Sequence, residues 1–447
     1  MSRLAPYLRE IRPTVALAVP IIVGQVSQML MGVTDSVMIG HAGTVPLAAS
    51  SFGGNVFNVF YVVGIGMLVP VSIFTARAHG AERPEDASEY LRHGCAIAAG
   101  FGLLEMLLLA LISTQLHRFG QPPEVLAIIR PFFLLIGASI VPVLVYLALR
   151  QFAEAMGRPW VPMMIMLGGV GLNVLLNWVF IYGHLGVPAL GLTGAGISTL
   201  TSRTLGALVI WTWVRLDPVT RAAWPRHWFA RLSAARLREM LHVGVPSSGM
   251  LFFEASAFSL STVMVGWLGS VPLAAHQIAI TCASMSFMFP LGLAMATSVR
   301  VSRVVGAGER HRLRPIAFGA MALGIGMTGT FGLAFGFGGR VIATWFVRDP
   351  AVIALAAQLL VVAALFQVFD GWQVTGAASL RAITDVRIPA IITFTAYWVV
   401  ALPLGYVLGI RGPYGAVGMW IGIAGGLAFA AVFLASRFAR LTARQPA

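Results

Sequence analysis

The sequence predicts an all-α integral membrane protein of twelve transmembrane helices, arranged as two pseudo-symmetric six-helix lobes. Three observations carry this. Hydrophobic residues make up 58% of the 447 positions and charged residues only 10%, whereas a soluble domain carries about 25% charge. Apolar runs of bilayer length recur along the whole chain. The two halves of the chain match each other at a fixed offset.

The mean hydropathy of +0.85 leaves more apolar surface than a soluble core could hide, so lipid must be the solvent for much of it. The net charge is +14, but the charges sit in short gaps between apolar stretches rather than on one basic face, which argues against nucleic-acid binding. All 30 Lys+Arg positions are Arg. Without a lysine there is no P-loop, hence no ATP-driven pump within this chain, and no retinal Schiff base. Cys95 and Cys282 lie inside apolar segments and form neither a disulfide framework nor metal-ligand spacing. The start, through Pro20, lacks a small-residue cleavage site and reads as an amphipathic lead into the first span.

With Pro, Gly and Arg as punctuation, spans are predicted at 13–38, 46–75, 92–115, 130–153, 161–183 and 190–214, then 240–266, 272–299, 315–338, 351–378, 387–410 and 415–436. The N-terminus, the even-numbered loops and the C-terminus hold 24 of the 30 Arg. The odd-numbered loops hold Arg118, Arg130, Arg340, Arg348 and Arg411, and Arg203 lies within the sixth span. Basic loops stay in the cytoplasm, so both termini are expected there. The expected division is a lobe at 1–214, a cytoplasmic linker at 215–239 and a lobe at 240–447.

Val37–Ala49 aligns with Val263–Ala275 at an offset of 226, with nine of thirteen positions identical. The same offset pairs Pro20 with Pro246, Arg77 with Arg303 and Gly80 with Gly306. Six helices per copy start both copies on the same side, so the repeats are parallel, and two like bundles suit alternating access.

Ionisable groups inside spans are costly and mark function by default. Most acids, Glu10, Asp86, Glu239 and Glu309 among them, are placed in loops, and Glu154 at a helix end near Arg150 and Arg158. Asp35, Glu105, Glu254 and Asp370 remain inside. The repeat partners of Asp35 and Glu254 are Ser261 and Gln28, and that of Asp370 is Val143, at an offset of 227, so the scaffold repeats while the acids do not. Asp35, Glu254 and Asp370 are read as functional, the alternative being a neutral or hydrogen-bonded brace between helices. Glu105, surrounded by Leu, is expected to be protonated or to snorkel outward. Asn173 and Asn177 are four apart, on one helical face, where amide carbonyls beside a carboxylate can ligate a hard cation. Thr199 is a further candidate oxygen, and Arg203 either pairs with a first-half acid or packs. Phe253, Phe287 and Met288 stand in an aromatic and methionine-rich stretch suited to flat cationic guests, although any one of them could equally be ordinary core.

The paired Val-Met-x-Gly-x-x-Gly-x-Val-Pro-Leu-Ala-Ala motifs resemble those of multidrug and toxic compound extrusion (MATE) transporters, bacterial NorM-like branch. So do Gly24–Gln28 ahead of Asp35, Leu149-Arg150 with Gly157-Arg158, and Leu380-Arg381 with Asp385. The resemblance runs from about Pro13 to Arg437. It implies a MOP-type fold and a secondary antiporter, not an enzyme, that exports organic cations and other xenobiotics while Na⁺ or H⁺ enters. It also implies coupling roles for Asp35, Asn173, Asn177, Thr199, Glu254 and Asp370, of which Asp35, Asn173, Asn177, Glu254 and Asp370 could hold Na⁺. Substrate contacts are expected at Glu254, Asp370, Phe253, Phe287 and Met288. Some relatives carry an acid where Asn177 stands, so the first-lobe site here has one carboxylate fewer.

The expected partners are organic cations and the lipid of a bacterial inner membrane, with no nucleic acid, no ATP and no cofactor beyond the coupling ion. The chain is expected to act as a monomer. The runner-up is a flippase for lipid-linked oligosaccharide precursors, which would favour a strongly cationic cavity, whereas the charges here are mainly acidic. An intramembrane enzyme lacks its motifs, and a channel would not need an opposing ion gradient.

Overall fold

The computed structural model describes residues 5–443, so Arg3 and Arg444, which count toward the basic termini, lie outside the described residues. Twelve long helical segments follow in order: α1 Ala5–Ala42, α2 Thr44–Gly80, α3 Pro84–Ser113, α4 Pro123–Ala155, α5 Trp160–Tyr182 and α6 Gly191–Leu216. The second set is α7 Ala234–Gly266, α8 Ser270–Gly306, α9 Leu313–Thr344, α10 Pro350–Ala382, α11 Arg387–Arg411 and α12 Gly415–Ala443. Eleven are long and apolar enough to cross a membrane; α6 falls short because Thr193, Ser198, Thr199, Thr201, Ser202, Arg203 and Thr204 dilute its hydropathy.

The helices run past the apolar windows that predict them. In α1 the helix begins well before Pro13, because a water-exposed turn can continue a helix whose apolar middle is already fixed. As a result Glu10, expected in a loop, sits in α1 at 8% exposure, and Asp86, Glu239 and their neighbours sit in helical ends. Helix α4 breaks its regular pattern at Ser139, where Pro142 lacks the N–H that would bond the Ala138 carbonyl. Helix α11 widens into π-helix at Thr395–Ala401 and again at Tyr406–Arg411. The first wide stretch leads up to Pro403, which likewise has no N–H to give to the turn before it.

Two compact units form. One is Val26–Ser248; the other is Met1–Gln25 with Gly249–Ala447. The boundaries therefore fall inside α1 and α7 and not in the 215–239 segment. The leading half of each repeat's first helix packs with the helices of the other repeat.

In the first unit, α3 turns Gly102, Glu105, Leu109 and Ser113 inward, while Leu103, Leu104, Leu107 and Leu111 are exposed. Glu105 therefore does not snorkel outward: it is 2% exposed, against Gly64 of α2 and Leu144 of α4. In the second unit, Gly418, Gly422 and Gly426 form a stripe at spacing four on α12. A Cβ on Gly422 would come within 2.3 Å of the Gly405 nitrogen, so α11 and α12 meet backbone to backbone. Small residues permit this where apolar lipid supplies little drive for association. A large cluster around Trp420, Tyr397, Phe366 and Leu360 fills the interior beside it.

Candidate functional site

In the first unit, the helical repeat stacks Asn173 and Asn177 on one face of α5, and both are fully buried. Asn177 Nδ2 donates to Asp35 Oδ1 at 2.6 Å and to Asn173 Oδ1 at 3.2 Å. The pairing of α1 with α5 is held one turn further on, where the Tyr182 hydroxyl donates to the Met38 carbonyl at 2.8 Å. Asn177 Oδ1 is buried and accepts no hydrogen bond among the described residues, and Asn173 lies close enough to act on Asp35 as well. One carboxylate and one free amide carbonyl thus stand together where polar groups are ordinarily satisfied.

Arg203 lies within electrostatic reach of Asp35 but forms no ion pair with it. Its guanidinium donates to Ser139 Oγ at 2.7 Å and covers the Phe57 ring at 4.7 Å. Thr199, buried one turn earlier on α6, makes no hydrogen bond to this group among the described residues.

In the second unit, α11 places Tyr397 and Trp398 against consecutive residues of α7. The Tyr397 hydroxyl donates to Glu254 Oε1 at 3.1 Å, and Trp398 Nε1 donates to the Phe253 carbonyl at 3.2 Å. Both residues lie in the π-helical turn Thr395–Ala401. Phe253 also meets Phe394 edge-on at 5.0 Å.

Asp370 is 2% exposed on α10 and within electrostatic reach of Glu254, as is Arg381. Its Oδ2 has no hydrogen-bond partner, and neither do Gln367 Oε1 and Gln373 Oε1, one turn to either side. Three buried acceptors thus line one face of α10 at spacing three. Gln367 is anchored by its Nε2, which donates to Ser286 Oγ. Gly371 lets α10 approach α9, since a Cβ there would come within 2.9 Å of the Gly324 carbonyl oxygen.

The structure therefore unites Asp35, Asn173 and Asn177 in one group, and Glu254, Phe253 and Asp370 in another. Phe287 packs on Val374 and Ala378 of α10, and Met288 is half-buried with no described contact to Glu254. No group of three or more His, Cys, Asp or Glu gathers among the described residues, so any cation here would take amide or hydroxyl oxygens as well.

Sequence reasoning missed Tyr397, Trp398, Gln367 and Gln373. The recurrence of polar residues every three positions in the tenth span was the available signal for the glutamines. The repeat equivalents of the acids carry no charge. Gln28 donates to the Tyr61 hydroxyl at 2.5 Å, and Ser261 turns back to the Phe258 carbonyl at 2.7 Å.

The family model MatE matches residues 20–179 and again 246–407, which repeats the internal duplication. "Probable multidrug resistance protein NorM" of Mesorhizobium japonicum is 34% identical over 443 residues, covering 97% of this chain and 94% of that protein. "Multidrug resistance protein NorM" of Burkholderia vietnamiensis is 33% identical, covering 95% and 93%. Among solved structures, a variant of the Vibrio cholerae MATE transporter VcmN superposes with a TM-score of 0.90 at 21% identity, covering 99% of each chain. The eukaryotic MATE transporter AtDTX14 superposes at 0.87 with 20% identity, covering 98% of this chain and 99% of its own. These two likenesses speak for the fold.

Proposed function

We propose, from the premise that this chain belongs to the MatE family and is a multidrug efflux transporter, that it expels organic cations in exchange for entering Na⁺ or H⁺ by alternating access. The observation that carries this reading is that, of the four acids inside membrane helices without an ion pair among the described residues, Asp35, Glu254 and Asp370 stand beside other polar side chains, whereas Glu105 stands among apolar ones. Asp35 is met by an amide, Glu254 by a phenol, and Asp370 Oδ2 by no donor at all.

A carboxylate held away from water needs a positive partner. Within each group, one such partner satisfies the site and a second is disfavoured. An entering ion at Glu254 and Asp370 would weaken a bound organic cation and release it. Phe253 and the rings around it offer flat apolar and cation–π surface for that guest. Asp35 with Asn173 and Asn177 would take the coupling ion in the first unit. The role of Thr199 rests on its hydroxyl on α6 and on the family resemblance, and those of Phe287 and Met288 rest on their aromatic and methionine-rich stretch. The membrane potential would assist entry of each positive charge by about 2.3 kcal/mol per 100 mV. We place the protein in the bacterial inner membrane as a monomer with both termini in the cytoplasm, on the Arg-rich loops of that side.

The test is ethidium or norfloxacin efflux from membrane vesicles, with Na⁺ and pH gradients imposed separately. Wild type should move substrate against at least one gradient. Glu254→Gln, Asp370→Asn and Asp35→Asn should abolish this at unchanged membrane levels. Full activity in all three variants would remove the mechanism, and flux without any gradient would point to a channel.

A further inference from the structure

The sequence repeat maps Arg83 onto Glu309, Asp86 onto Arg312 and Glu10 onto Arg236, all at the offset of 226. In the first unit, Arg236 pairs with Asp86 at 2.6 Å, and Arg83 approaches Asp86 at 4.0 Å. In the second unit, Arg312 pairs with Glu10 at 2.8 Å and with Glu309 at 2.5 Å. One constellation is thus built twice with every charge reversed. What recurs is the attraction and not the residue, which a scatter of surface charges has no reason to produce.

The backbone around the triads recurs as well. Helices α2 and α8 end at the equivalent Gly80 and Gly306, and the equivalent Glu82 and Gly308 both take positive φ, 56° and 75°. Deeper in each unit a second equivalent pair of contacts follows. A Cβ on Gly66 would come within 2.4 Å of Ser248 Cα, and one on Gly292 within 2.8 Å of Ile22 Cα. Each triad and each glycine contact joins the first helix of one repeat to the second and third helices, or their connection, of the other repeat.

Resting on the reading of this chain as an alternating-access transporter, we propose that the two charge-reversed triads are paired latches. They hold the leading end of α1 to the α8–α9 connection and the leading end of α7 to the α2–α3 connection, and they part and re-form in each transport cycle. The six residues are positioning residues and touch no substrate. The latches are unequal. Arg300, whose repeat equivalent is Phe74, donates to the Glu10 carbonyl at 2.6 Å and pairs with its carboxylate. The Glu10 side chain is 10% exposed, against 32% for Asp86. A less hydrated pair with more donors is the stronger one, so the Asp86 latch opens more readily.

The experiment compares Asp86→Arg with the full reversal R83E/D86R/R236E, which restores attraction within the triad. Efflux of ethidium from cells and the amount of protein in the membrane are both measured. Asp86→Arg should lower efflux at least tenfold, and the triple variant should recover to within threefold of wild type. If Asp86→Arg fails to reach the membrane, the milder Asp86→Asn is compared with wild type at matched membrane levels, and unchanged efflux per transporter overturns the latch. Undiminished efflux in Asp86→Arg, or a triple variant as impaired as the single one, overturns the latch. A wild-type chain that exports nothing would instead count against the transporter reading.

Discussion

The Tyr397 hydroxyl donates to Glu254 Oε1 at 3.1 Å from a π-helical turn of α11, and this bond links the helix of widest backbone geometry to the acid of α7. A hydrogen bond to a charged group contributes roughly 1.5–3 kcal/mol. Tyr397→Phe keeps the ring and its packing but removes the donor. We expect it to lower efflux about tenfold with the fold intact, as read from ethidium export and the thermal melting of purified protein. Efflux equal to wild type would show that this phenol does not position Glu254.

Asn177 makes the corresponding contact in the first unit, at 2.6 Å from Asp35. Asn177→Leu is of similar volume and leaves the carboxylate without its amide. It should cost efflux at least tenfold, whereas Ser261→Ala, at the repeat equivalent of Asp35, should stay within twofold because that hydroxyl only meets its own helix. Export rates of the two variants at matched membrane levels separate an ion site from a packing site.

Much of the architecture is legible in the amino-acid sequence. Asp35, Glu254 and Asp370 stand out because a charge inside an apolar run is costly enough to need a reason. The duplication can be read because Gly40, Gly43, Pro46 and their partners serve the same backbone turn in each copy, with Gly43 and Gly269 both at positive φ. Tyr397 and Trp398 are not legible, since an uncharged polar residue in a span is common and its partner comes from a distant helix, and Gln367 and Gln373 show in the sequence only through their spacing of three about Asp370. Glu10 escapes for another reason. Apolar windows end where hydropathy ends, while the helix and its ion pairs continue into water.

Gly422 tests how closely α11 and α12 must meet. A Cβ there would face the Gly405 nitrogen at 2.3 Å and Cα at 2.5 Å, both backbone atoms that cannot rotate away. Gly329 on α9 has nothing within 4 Å of its added Cβ. Overpacking of this kind costs about 1–3 kcal/mol or more. Gly422→Ala should lower the melting temperature in detergent by several degrees, and Gly329→Ala should leave it unchanged or slightly raised. Equal melting of the two would show that the α11–α12 contact can open at little cost.

Glu105 separates a costly buried acid from a useful one. It is as buried as Asp370, at 2% exposure, and its Oε2 likewise accepts no hydrogen bond among the described residues, but it lies among Gly64, Leu144 and its own helix, whereas Asp370 has Glu254 within electrostatic reach. No amide or phenol meets it, in contrast to Asp35 and Glu254. A buried polar group left without a partner costs about 1–3 kcal/mol, so an apolar replacement of similar volume is expected to be neutral or stabilising by up to about that amount. We therefore expect Glu105→Met to melt at the same or a higher temperature and to keep efflux within twofold of wild type, while Asp35→Leu abolishes it. The measurements are melting of the purified variants and ethidium export at matched membrane levels. A Glu105→Met protein that folds normally but exports nothing would show that burial alone, without a polar partner, is enough to mark a working acid in this fold.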